Sequence, residues 1–205
     1  MARSKCFFTH PTVATTFFLW LLLISSCARY PTYTQPNRYL TQQEKYARTI
    51  NKRFNEVWTA LIDYSAGTFF AIDNYEKDSG LLTLSFGADN PSDYVDCGHI
   101  KTVTIKFDGP VIEACEFHGD ADLDGSMNIF VKPILSNVTQ VKINARYVLK
   151  LFDGAARQTW AFDSGGSDAK RFSGIQENVV CVPTNKAETT ILDGIEKIAK
   201  GIEPQ

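Results

Sequence analysis

The strongest constraint on the fold lies between Asn128 and Phe152. Residues 128–135 and 138–152 alternate apolar and polar side chains, with Ser136-Asn137 between them. A period of two sends one set of side chains to a buried sheet face and the other to water. Two such runs joined by a short polar pair read as an antiparallel hairpin. An isolated hairpin is marginal in water, so the rest of the chain must supply further strands and a covering layer. Residues 68–75 and 81–86 (LLTLSF) are strand-like and flank the polar turn 76–80. Residues 100–107 (IKTVTIKF) alternate, 111–117 fit a strand followed by an acidic loop, and 155–162 and 179–182 complete the strand signals.

Helical spacing occurs twice. Thr41 followed by Glu44 has the capping-box pattern, and Tyr46, Ile50, Phe54, Val57, Trp58, Leu61, Ile62 and Ser65 then recur at intervals of three and four. This predicts an amphipathic helix of about 24 residues ending at Gly67, with Trp58 in the core. Thr184 opens a second helix to residue 202, with Ala187, Ile191, Ile195 and Ile198 as its apolar stripe. A long helix, a run of antiparallel strands and a closing helix give an α+β fold rather than a doubly wound parallel sheet. A chain of 205 residues with 44% hydrophobic content can bury a real core, and its net charge of −2 gives no basic face for nucleic acid.

The amino terminus has a different character. Arg3 and Lys5 precede an apolar run at 13–24, about half the ~20 residues a membrane-spanning helix needs, which reads as a secretory signal. The run ends in Ile24-Ser25-Ser26-Cys27, which resembles the bacterial lipobox. The resemblance implies removal of residues 1–26, acylation (palmitate) at Cys27 and a membrane anchor facing the periplasm. With Ala28 rather than aspartate next, it implies the outer membrane. Residues 27–40, with two prolines and three tyrosines after the cysteine, then read as a tether, and 41–205 as one globular domain. Losing Arg3 and Lys5 takes the net charge from −2 to −4.

The segments FNEVWTALI (54–62), FAI (70–72) and DSGLLTL (78–84) resemble the BamC family of proteobacterial outer-membrane lipoproteins. The likeness covers about residues 45–90 and is one of pattern. It implies a helix-grip shape, a curved antiparallel sheet holding a long N-terminal helix, and an envelope address. The chain carries one such domain where that family has two, so the resemblance bears on fold and address rather than on membership of an assembly machine.

Among five cysteines, Cys6 leaves with the signal and Cys27 carries lipid, so Cys97, Cys115 and Cys181 remain. An oxidising compartment favours one disulfide. Cys97 with Cys181 closes the longer loop and is preferred, and Cys97 with Cys115 is the rival. A cysteine nucleophile paired with His99 or His118 lacks any supporting motif. Asp120, Asp122, Asp124 and Gly125 match the first half of a calcium loop, but Val131 stands where the bidentate glutamate belongs, so a solvated turn is the plainer reading. Asn137-Val138-Thr139 has the form of a glycosylation acceptor, of little meaning in a bacterial lipoprotein. No phosphate-binding, dinucleotide, serine-hydrolase or zinc-protease motif occurs, and no cofactor is expected. The sequence therefore points to a non-enzymatic binding or assembly module with an envelope protein partner. The alternative is a lipoprotein that binds a small apolar ligand in a cavity between sheet and helix.

Overall fold

A computed structural model of the chain describes residues 31–37, 46–102, 106–116, 121–152 and 154–201. The expected hairpin forms its centre: strands β8 (Ala121–Leu135) and β9 (Val138–Phe152) pair antiparallel from Ala121↔Leu151 to Leu135↔Val138. β8 also pairs with β4 (Leu81–Gly87), which pairs with β3 (Ala71–Glu76). The other edge of β9 is shared by two strands lying end to end. β10 (Arg157–Asp163) covers Arg146–Phe152 and β2 (Ala47–Ile50) covers Thr139–Lys142. In the gap between them, Ile143 N donates to Tyr46 O (2.7 Å) and Ala145 N to Ser164 Oγ (2.8 Å), so the edge stays bonded throughout.

One face of this open six-stranded sheet carries Leu82, Leu84, Leu123, Met127, Ile129, Val141, Ile143 and Tyr147, all buried under helices α1 (Phe54–Ala66) and α3 (Lys186–Ala199). The other face is wet, with Ser85 on β4, Ser126 and Asn128 on β8, and Lys142 and Arg146 on β9. The helices cross at Gly194, where a Cβ would stand 2.2 Å from the Tyr64 ring. Only the missing side chain permits this approach. The architecture is thus α+β, built mostly from antiparallel strands.

Two smaller three-stranded sheets adjoin the main one. One joins β1 (Thr32–Thr34), β6 (His99–Lys101) and β7 (Asp108–Pro110); the other joins β11 (Asp168–Arg171), β12 (Asn178–Pro183) and β5 (Val95–Asp96). The disulfide is Cys97–Cys181, which staples the chain just beyond β5 to its neighbour β12. Cys115, the rival, is buried in α2 (Val111–Glu116) and takes no part in the bond. Among the described residues no helix is long and apolar enough to cross a membrane.

Four expectations need correction. The first helix is not long: it starts at Phe54, while Ile50, which shared its spacing, lies buried in β2. The break follows from local bonding, since Arg53 N donates to Glu56 Oε2 (3.0 Å), closing one side of a capping box one turn before Val57. Thr41 and Glu44 lie outside the described residues. Residues 100–107 are not one strand, because Thr102 N donates to Phe107 O (2.8 Å) and the chain has already turned back toward β7. Residues 111–116 are helical: Val111, Ile112 and Cys115 are buried at the i, i+1, i+4 spacing of a helix face. Part of the expected tether is paired structure, for Tyr33 in β1 is buried and in register with Ile100.

Candidate functional site

The signal, the lipobox Ile24-Ser25-Ser26 and the acylation candidate Cys27 lie outside the described residues, as do Asp120 and His118. Asp122 and Asp124 are described, and they are not in a loop. They project from the wet face of β8, and both accept from Lys150 Nζ, at 3.2 and 2.8 Å. Their carboxylates hold the lysine above its ordinary range. Among the described residues no cluster of three or more His, Cys, Asp or Glu side chains could hold a metal. Cys97 sulfur is tied up in the disulfide, and exposed His99 faces Asp108 (3.4 Å) instead. Asn137 sits in the exposed β8–β9 turn.

A concave surface lies at the turn end of the sheet. Lys77–Gly80 link β3 to β4, and Gly80 adopts φ +68° with its Cβ position 2.2 Å from Val131 O, so any side chain there would collide with backbone. Gly80 O in turn accepts from Val131 N (2.8 Å). This contact brings the turn against β8 and opens a groove of about 570 Å³, lined by Phe54, Lys77, Gly80, Phe130, Lys132 and Pro133 among others. Phe54 stacks on Trp58 (5.8 Å between ring centres), and Trp58 Nε1 donates to Tyr75 Oη (3.2 Å). Beside the groove the β8–β9 hairpin leaves Phe130, Ile134 and Leu135 exposed at 47%, 51% and 63%. A second hollow of about 530 Å³ runs along Tyr75–Ser79. The surface is apolar at its rim and carries lysines of either side of the turn.

A second constellation is buried. Glu188, fully enclosed in the first turn of α3, accepts from Tyr147 Oη (2.6 Å) and from Ser164 Oγ (2.5 Å). Ser164 Oγ also accepts the N–H of Ala145. Burial, and then the Glu188 charge, push the Tyr147 phenol far above its usual range. Both carboxylate oxygens are satisfied, so the trio joins β9, the end of β10 and α3 rather than presenting a reactive group. Sequence reading missed it because Glu188, in the first turn of a helix, looks like an ordinary solvated acid.

The strand end of the molecule is built around Tyr33. Its hydroxyl accepts from Val180 N (2.9 Å) and donates to Cys97 O (3.2 Å). Tyr94, which follows β4, packs its ring on Phe86 (5.6 Å), and Phe86 is in register with Gly125 near the start of β8. The disulfide and β1 therefore lie toward the opposite end of the sheet from the Ser136-Asn137 turn. No protein-family model matches the chain, and no curated protein or solved structure shows significant similarity to it.

Proposed function

We propose that this chain is a lipid-anchored outer-membrane lipoprotein that faces the periplasm and acts as a non-enzymatic binding or assembly module for an envelope protein. The observation that carries the reading is the separation of its two ends. Acyl chains on Cys27 would hold the domain through β1, since Thr32 is only five residues away. The groove and the exposed Phe130, Ile134 and Leu135 lie toward the far end of β8, from about 17 Å (Phe130) to about 33 Å (Leu135) along the strand from Gly125. An apolar, concave surface turned away from its own anchor suits a partner in the space beyond. Two helices across one face of an antiparallel sheet are what supports the finer comparison with the helix-grip domains of BamC-type lipoproteins. The apolar-ligand reading has less behind it, because Trp58, Leu61, Ile143 and Tyr147 fill the space between helix and sheet.

Two experiments test the reading. Cys27→Ala releases the protein from the membrane fraction; unchanged fractionation sinks the anchor. A photo-crosslinking side chain at Leu135 captures a discrete envelope protein that the same group at Asn144, on the wet sheet face, does not. Equal patterns at both positions count against the groove end as the binding surface.

A further inference from the structure

The strand β1 rests directly on the disulfide. The Tyr33 hydroxyl bridges the two strands that the bond joins, touching Cys97 O on one side and the N–H of Val180, next to Cys181, on the other. Gly98 has φ +79°, and a Cβ there would lie 2.3 Å from Thr34 O and 3.1 Å from Pro36 Cδ. Residues 33–36 therefore lie flat over positions 97 and 98. Beneath them Cys97 is 2% exposed and Cys181 not at all. The phenol keeps both partners only while the two backbones stay at their bonded separation.

We propose that β1 is a strap held down by the Cys97–Cys181 bond, so that reduction by a dithiol releases it and lengthens the link between the domain and its anchor. One thiolate of the reductant attacks a cystine sulfur, and its second thiol resolves the mixed disulfide. Two electrons and two protons pass to the protein, leaving Cys97 and Cys181 as thiols and the reductant as a disulfide. With the strap docked, Cys27 to Thr32 spans at most about 18 Å; with residues 32–37 released, the stretch from Cys27 to Asn37 reaches at most about 36 Å. The coupling is reciprocal, so loosening the strap must also ease reduction. The change in reach rests on the proposed lipid anchor; the coupling of strap to disulfide does not.

The test uses the full chain purified in detergent and hydrogen exchange read by mass spectrometry. Dithiothreitol is expected to speed exchange in residues 31–37 and 99–101 by about tenfold or more while the β8–β9 amides keep their protection. In a dithiothreitol redox buffer, Tyr33→Phe is expected to shift the disulfide–dithiol equilibrium about fivefold toward the thiols, measured by alkylation of the freed thiols. Unaltered exchange at 31–37 after reduction overturns the coupling, as does a loss of protection spread evenly over β8 and β9. An unchanged disulfide–dithiol equilibrium in Tyr33→Phe does the same. On vesicles carrying an acceptor dye on the lipid headgroups, energy transfer from the tryptophans falls on reduction. Constant transfer overturns the change in reach alone, and Cys27→Ala separates that outcome from failure of the anchor.

Discussion

The Tyr147 hydroxyl donates to Glu188 Oε2 across 2.6 Å of fully enclosed space, and this bond fixes α3 on the central strand. Tyr147→Phe keeps the ring and leaves a buried carboxylate oxygen without that donor. The expected loss is about 1–3 kcal/mol, read as a lower denaturant midpoint with an unchanged slope. A midpoint equal to that of the parent protein refutes the role given to the pair.

The same residue governs the alkaline limit. A phenol whose folded pKa is raised keeps its proton in the fold at a pH where the unfolded chain has lost it. Its contribution is therefore complete below the ordinary value of 10.0 and is lost as pH rises beyond it. Burial also raises Tyr33, Tyr64 and Tyr94. Stability should decline steeply above pH 10, and less steeply in Tyr147→Phe. Parallel curves for the two proteins would contradict this.

The acid limit depends on other groups. Lys200 first, and then Arg48, hold Glu196 below its ordinary 4.5. A depressed carboxyl stabilises the fold above its ordinary pKa, and that contribution is lost as pH falls through the folded value. Glu196→Gln should thus cost a constant amount near neutrality, under about 1 kcal/mol for a half-buried group in contact with solvent. The difference should close below pH 4.5. Thermal melts at graded pH read it directly, and a gap that widens on acidification excludes the assignment.

Gly194 faces the Tyr64 ring with no room for a methyl group. Gly194→Ala should cost about 1–3 kcal/mol through overpacking at the helix crossing. The penalty should shrink when Tyr64→Leu is present as well, since the two sites share one contact. Additive losses would place the strain elsewhere.

Removing the disulfide by Cys97→Ala with Cys181→Ala should lower stability by about 2–5 kcal/mol, because the bond closes a loop between residues 84 apart. Cys115→Ala leaves that constraint intact, and an equal loss in both variants would argue against it.

The large sheet was legible where its strands alternate over long runs: β4, β9 and residues 128–135 of β8 show their buried face in the sequence, whereas residues 121–127, which read as part of an acidic loop, continue β8. The apolar stripe of α3 was equally plain, with Ala187, Ile191 and Ile195 all buried. Short segments were not. Val111, Ile112 and Cys115 fit a strand or one turn and a half of helix equally well, and only packing decides between them. Ile50 shares helical phase with Phe54 by coincidence, and its pairing with Thr139 across the chain overrides that phase. The β1 strand hides among prolines because its partners come from residues 97–101 and 180. The groove was invisible for a similar reason, since Phe54, Gly80 and Phe130 are brought together by strand register rather than by any local motif.

The bond from Tyr33 to Val180 joins residues 147 apart in the chain, and β2 waits for Thr139–Lys142 before it has an edge to join. Closing loops of this size comes late and slows folding. As the chain is synthesised, β1 gains its partner β6 once residues 99–101 have emerged and β2 gains its partner β9 once residues 139–142 have, while the bond from Tyr33 to Val180 forms later still. The packing of β1 is thus completed by a strand close to the far end of the described residues, and a molecule truncated before β12 would keep β6 beside β1 but lose the Tyr33–Val180 bond together with the sheet of β11, β12 and β5.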